Sequence, residues 1–135
     1  QHVLVNELAP RPHNSGHYTI EGCVTSQYEN HIRAILGLPL GSTELICPTV
    51  MKNIIGNVNK KAEVHGLEEA YKYPEVKIHI YGKEECRVGR KMGHITVTDK
   101  TIEDALFKAR YAHSKNQVLT EGNGNERKGW HYYGQ

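Results

Sequence analysis

The run Asn6–His17 places a carboxylate (Glu7), a guanidinium (Arg11), two imidazoles (His13, His17), two amides (Asn6, Asn14) and a hydroxyl (Ser15) on a backbone that also holds Pro10, Pro12 and Gly16. So many directional polar groups on a stiffened chain make poor core material and good material for gripping a charged ligand. Glu7 and Asn6 offer a carboxylate and an amide oxygen. That pair suits a hard cation such as magnesium, which takes one or two protein oxygens and completes its shell with phosphate and water. Arg11, His13, Asn14 and Ser15 can hold anionic oxygens through charge-assisted and ordinary hydrogen bonds. The same residues could also cap one another in a polar turn, and spacing alone does not choose between the two.

A second concentration of chemistry lies in Tyr81–Gly93, a connection punctuated by glycines that carries Lys83, Arg87, Arg90 and Lys91 and runs into His94. Flexible backbone with Arg and Lys donors suits phosphate oxygens, which Arg can hold bidentately. The alternative is a solvated hairpin balanced by Glu84 and Glu85.

The elements that must position these groups follow from pattern. His2-Val3-Leu4-Val5 reads as a buried strand delivering Asn6 and Glu7 at its end, and Pro10 and Pro12 supply the bend that lets neighbouring side chains converge. Ser26 with Glu29 has capping-box spacing, and Tyr28, Ile32, Ile35 and Leu36 recur at helical intervals until Gly37 and Pro39. This predicts a helix whose apolar stripe covers the site-bearing strand, with His31 and Arg33 on other faces.

Thr49–Gly56 reads as a strand, Asn57–Lys61 as a polar loop, and Val64, Leu67 and Tyr71 as one short helix. Val76, Ile78 and Ile80 alternate with Lys77, His79 and Tyr81, as does His94–Thr98, the period of half-buried strands. Thr101 with Asp104 caps a last helix whose buried stripe is Ile102, Ala105, Leu106 and Ala109. Beyond residue 113 the chain turns polar and rich in Gly and Asn before closing on Trp130-His131-Tyr132-Tyr133, and disorder is expected there.

The run Asn6–His17, followed by Thr25-Ser26-Gln27-Tyr28-Glu29 and by Gly89-Arg90-Lys91-Met92-Gly93-His94-Ile95, closely resembles the C-terminal part of the 5-(carboxyamino)imidazole ribonucleotide synthetase family. These are ATP-grasp ligases of purine biosynthesis, and they form one part of the bifunctional phosphoribosylaminoimidazole carboxylase of fungi and plants. The resemblance runs from about Val3 to about His113. It implies an α+β fold: the end of an ATP-grasp domain (residues 1–45), a small mostly-β, single-hybrid-like half-barrel domain with a terminal helix (46–113), and a tail (114–135).

The resemblance also implies ATP-dependent carboxylation of 5-aminoimidazole ribonucleotide with bicarbonate. Glu7, helped by Asn6, would bind Mg2+ between the ATP phosphates. Arg11 and His13 would be the catalytic pair, His13 binding or carrying a proton. Asn14, Ser15, Arg87, Arg90 and Lys91 would hold substrate and phosphate. Val88 stands where the family commonly has proline, and Ile80 where it has an aromatic residue. A homodimeric parent with a fused or separate mutase domain is implied too, in the cytoplasm or, in a plant, a plastid. A second metal-binding glutamate and the nucleotide-binding half would lie upstream. The chain opens on Gln1 and enters at once on a strand, so it reads as a fragment, inactive alone.

Composition narrows the classes. With 17 basic and 15 acidic residues the formal charge is +2, so nothing demands a nucleic-acid or membrane partner. No apolar run approaches the ~20 residues that span a bilayer, and no signal-peptide pattern opens the chain. Cys23, Cys47 and Cys86 are odd in number and widely spaced, favouring reduced thiols over a disulfide frame or zinc site. Two other classes stay open: a non-catalytic dimerisation or interface module, and a weak phosphate or nucleic-acid binder using the cations of residues 83–91.

Overall fold

The computed structural model of the chain describes residues 4–115 and 130–133. Four strands, β1 (Thr49–Ile55), β3 (Val76–Ile80), β5 (Lys91–Thr98) and β6 (Trp130–Tyr133), form one antiparallel sheet in the order β3-β5-β1-β6. A separate two-residue ladder pairs β2 (Lys60–Lys61) with β4 (Glu85–Cys86). The helices are α1 (Thr19–Gly22), α2 (Gln27–Ile35), α3 (Leu67–Ala70) and α4 (Ile102–Lys115), and a 3-10 turn spans Asn14–Gly16.

The core lies between the sheet and α4. Strand alternation sends Val50, Ile54, Ile95, Val97 and Val76 to one face. Against them pack Ala105, Ala109 and Ala112, all fully buried, whose small side chains let the helix approach closely. Thr101 caps α4, its Oγ1 accepting the Asp104 N–H at 3.1 Å. The Lys108 ammonium pins the helix to the sheet ends through Glu75 (2.8 Å) and Asp99 (2.6 Å). β1 is buried on both faces, because the segment around residues 13–28 covers the side that α4 does not. On that side Gly22 of α1 sits against Thr49, where a Cβ would lie 2.7 Å from the hydroxyl.

Several expectations meet a different outcome. Leu4 and Val5 are not a buried strand: they are irregular and 84% and 89% exposed, while His2 and Val3 lie outside the described residues. An extended segment becomes a strand only by pairing its backbone, and none of the described strands pairs with this one. α2 forms where expected, with Ser26 Oγ accepting the Glu29 N–H at 3.2 Å. Its stripe, however, is exposed, with Ile32 at 56%, Ile35 at 69% and Leu36 at 65%, and so covers no strand.

Two residues of the supposed loop 57–61 pair as β2, and β5 begins at Lys91, before the expected His94. α4 runs on to Lys115, and Trp130–Tyr133 pair with β1, so these parts of the segment expected to be disordered are regular. Residues 116–129 and 134–135 lie outside the described residues.

Candidate functional site

The elbow is built as the prolines dictate: the chain bends at Pro10–Arg11 and enters the 3-10 turn, with His13 as its N-cap. His13 Nδ1 accepts the Ser15 N–H at 3.2 Å and lies 2.8 Å from Ser15 Oγ. From α2, the Gln27 amide grips the His13 peptide at both ends: Oε1 accepts the His13 N–H (3.0 Å) and Nε2 donates to the His13 carbonyl (2.9 Å).

A backbone N–H can only donate, so this contact fixes which end of Gln27 is oxygen. The other end, Nε2, also lies 2.8 Å from His17 Nδ1, and must donate to it. His17 therefore accepts at Nδ1 and carries its hydrogen on Nε2. Burial, then the charges of Lys91, His79 and His13, lower its pKa.

Beneath the elbow lies the polar face of the sheet. In the ladder register Asn53 of β1 stands opposite His94 of β5, which stands opposite His79 of β3, so the three form one row. His79 and His94 stack with ring centres 4.4 Å apart and planes 15° apart, and the His17 ring lies 5.1 Å from His94. Every member of the row is tied into the covering segment or its neighbours. Asn14 Nδ2 donates to Asn53 Oδ1 (2.8 Å), His79 Nε2 donates to Glu21 Oε1 of α1 (2.5 Å), and the Tyr81 hydroxyl lies 2.8 Å from His94 Nδ1. Burial, with the adjacent His79 and His17, pushes the His94 pKa down to about 3. Burial and the nearby Tyr28 push the Tyr81 phenol up to about 12.

The cations of residues 83–91 divide in two. Lys83 reaches back to Lys91, whereas Arg87 and Arg90 both turn to Glu85. The Lys83 ammonium donates to the Lys91 carbonyl at 2.6 Å, lies 5.7 Å from the centre of the Tyr81 ring, and has its pKa lowered by burial and then by Arg90 and Lys91. Arg90 donates to the Glu85 carbonyl at 3.1 Å. Arg87 is held by the side chain: both its Nε (3.0 Å) and an Nη (2.5 Å) donate to Glu85 Oε2, and it lines an open cleft of ≈ 790 Å³ with Lys60, Lys61 and Glu84 on the β2–β4 ladder. A carboxylate already fills its fork.

Of the sequence-predicted residues, the structure thus brings His13, Asn14 and Ser15 together in one turn. Asn6, Glu7 and Arg11 are exposed, Arg11 donating to the Pro12 carbonyl at 3.2 Å. Among the described residues no three His, Cys, Asp or Glu side chains are grouped to hold a metal. Cys23, Cys47 and Cys86 are free thiols. Sequence reasoning missed Gln27 as the clamp and the row Asn53–His94–His79. The alternation of His79 within its strand was a visible signal, but the row needs the pairing register.

Comparison with known proteins agrees with this geometry. Residues 49–108 match the profile of the phosphoribosylaminoimidazole carboxylase C-terminal domain, and residues 1–28 match that of the ATP-grasp domain. The chain is 57% identical over 94 residues to N5-carboxyaminoimidazole ribonucleotide synthase of Bacillus subtilis, covering 70% of this chain and 24% of that protein. It is 45% identical over 114 residues to phosphoribosylaminoimidazole carboxylase of Ogataea methanolica, covering 81% and 21%.

Among solved structures, N5-carboxyaminoimidazole ribonucleotide synthetase from Thermotoga maritima superposes with a TM-score of 0.80 at 57% identity, over 87% of this chain and 33% of the other. The Aspergillus clavatus synthase, solved with ADP and 5-aminoimidazole ribonucleotide, gives a TM-score of 0.67 at 43% identity, over 77% and 28%. The chain thus spans about a quarter or less of these two curated relatives. The elbow comes from the stretch that matches the ATP-grasp domain and the histidine row from the stretch that matches the C-terminal domain, and the chain belongs to the N5-carboxyaminoimidazole ribonucleotide synthase family, in the part where those two meet.

Proposed function

We propose that this chain serves as part of a longer ligase that uses ATP and bicarbonate to carboxylate the exocyclic amine of 5-aminoimidazole ribonucleotide in purine biosynthesis. The observation that supports the reading is geometric: the Tyr81 ring, which the Lys83 ammonium approaches to 5.7 Å, lies against the His17 ring of the elbow with centres 6.1 Å apart, and its hydroxyl is 2.8 Å from His94 Nδ1. Cations close to a turn rich in hydrogen-bonding side chains suit an anionic ligand. Residues 1–45 are assigned to the end of an ATP-grasp domain and 46–113 to the small domain. The exposed stripe of α2 is the face on which the rest of the ATP-grasp domain packs.

In this role Arg11 and His13 act on bicarbonate-derived oxygens, while Asn14, Ser15, Arg90 and Lys91 orient the ribonucleotide and ATP phosphates, gaining rate through positioning. Arg87 joins them only after leaving Glu85. Glu7 and Asn6 fit a magnesium ion in part. They offer the one or two oxygens such an ion takes from protein when phosphates complete its shell, and the ion would neutralise phosphate charge there. The same reading takes the parent as a cytoplasmic homodimer, or a plastid one in a plant, that hands its product to a fused or separate mutase domain.

The test uses the parent enzyme. Glu7→Gln abolishes ATP-dependent incorporation of labelled bicarbonate while far-ultraviolet circular dichroism is unchanged. Near-normal turnover removes Glu7 from the metal site.

A further inference from the structure

We infer that Asn53 of β1 and His79 of β3 are positioning residues, which hold the elbow on the sheet by one hydrogen bond each, to Asn14 and to Glu21. Asn14, His17 and Glu21 are spaced by three and four residues along a stretch that begins as the 3-10 turn and ends in α1, the spacing at which side chains of a helical chain share a face. Each meets one member of the row. Asn14 Nδ2 donates to Asn53 Oδ1 at 2.8 Å, the His17 ring lies 5.1 Å from the His94 ring of β5, and Glu21 Oε1 accepts from His79 Nε2 at 2.5 Å. Asn14, His17 and Glu21 lie in the stretch that matches the ATP-grasp domain, and their three partners in the stretch that matches the C-terminal domain, so every one of these contacts crosses the seam between the two.

Apolar burial holds little of the covering stretch. The turn Asn14–Gly16 buries none of its residues, α1 buries only Gly22, and Ile20 is exposed. Apolar contact is non-directional, whereas a hydrogen bond fixes direction as well as distance, so the bonds at the two ends of the row decide where the turn sits. They are also costly to keep. Asn53 is 4% exposed, and the Glu21 side chain is 16% exposed with its second oxygen, Oε2, buried without a hydrogen-bond partner among the described residues. A packed chain does not normally bear a buried unpaired oxygen for a spare residue. From Glu21 the hold reaches the turn through α1, where the Thr19 hydroxyl donates to the Gly16 carbonyl at 2.6 Å and the Ile20 N–H to the His17 carbonyl at 3.2 Å. The hold stands on ligand-free geometry. Its purpose, keeping His13 and Ser15 still for phosphate or carboxylate oxygens, rests on the function proposed above.

The test is amide hydrogen exchange on the 135-residue chain without ligand, read at Gly16 and His17, whose N–H groups donate to the His13 and Asn14 carbonyls, and at β1 and β5 as the internal reference. Glu21→Met and His79→Leu, which fill space without making the bond, should each speed exchange at Gly16 and His17 by about fivefold or more while the strand amides change little. Combining the two should take the loss no further than either alone, because both remove the same bond. His79→Gln, whose amide nitrogen can stand near the Nε2 position and donate to Glu21, should restore most of the protection. Asn53→Leu should loosen the same two amides from the other end of the row.

Wild-type elbow exchange in Glu21→Met or in Asn53→Leu overturns the inference, as does a loss spread equally over β1 and β5, a combined variant in which the two losses add, or His79→Gln exchanging as fast as His79→Leu. Should His79→Leu or Asn53→Leu fail to fold, Glu21→Met and His79→Gln decide alone. Because no ligand enters this readout, an elbow that loosens as expected in a parent enzyme whose kcat and KM stay unchanged counts against the proposed function and not against the hold.

Discussion

Gln27 holds the His13 peptide as a paired strand would, accepting its N–H at 3.0 Å and donating to its carbonyl at 2.9 Å, although the two residues are separated by a 3-10 turn and a helix. One side chain thereby satisfies both backbone groups of a half-buried residue and, through His17, sets the tautomer of a neighbouring imidazole. Backbone groups in such a place need partners, and here the partner is the first residue of α2.

Replacement of that amide should therefore unfasten the elbow. Gln27→Glu turns the donor into an acceptor facing the His13 carbonyl and should cost about 1–3 kcal/mol in urea unfolding, most of it visible as faster exchange at residues 13–17. Wild-type stability together with unchanged exchange in Gln27→Glu would show that the clamp holds nothing.

Acid should loosen the molecule through its histidines. The His94 pKa is pushed down to about 3 by burial and by His79 and His17; that of His113 falls to about 4 through burial and Lys52; that of His17 is lowered by burial and Lys91. In the unfolded chain imidazoles titrate near 6.5, so between these limits the unfolded state binds more protons and stability rises with pH. The contribution is complete above about pH 6.5 and is lost progressively as pH falls toward 3. The pKa values of Glu75, Glu85 and Asp99 are lowered, so those groups act further down the scale. Urea midpoints should fall between pH 7 and 5, and less so in His94→Asn. A flat profile over that range contradicts the assignment.

Gly93 is where two strands come too close for a side chain. A Cβ there would lie 2.3 Å from the His79 carbonyl oxygen, a backbone atom that cannot swing away. Gly93→Ala should cost about 2–3 kcal/mol and disturb the His79–His94 stack. Gly82→Ala, at φ +66° with open space around it, should cost only about 1 kcal/mol for the left-handed backbone. Equal urea midpoints for the two variants would refute the contact.

In the parent enzyme, Arg90→Ala with Lys91→Ala should raise KM for ribonucleotide or ATP by about tenfold or more, the effect of losing charge-assisted bonds to phosphate. Arg87→Ala, with its fork already filled by Glu85, should do much less. Equal kinetics for the double variant and wild type would return residues 83–91 to a solvated hairpin.

The sequence by itself determined whatever depends on neighbours along the chain. The caps at Ser26 and Thr101 are local hydrogen bonds three residues long, the alternation of β3 and β5 is a property of extended backbone, and the bend at Pro10–Arg11 follows from fixed φ. The crowded polar types of residues 6–17 allowed a ligand site or a self-capping turn, and the motifs carried the family resemblance.

Only the tertiary structure decided which of those groups meet. Asn53, His94 and His79 share a row because two antiparallel registers align them, and a shift of one residue would have sent His94 into the face that α4 covers. The exposure of Leu4, Val5 and the α2 stripe, the pairing of Arg87 with Glu85, and the docking of Trp130–Tyr133 on β1 likewise depend on what lies across space. Burial and pairing are sums over neighbours distant in sequence, and no local pattern carries that sum.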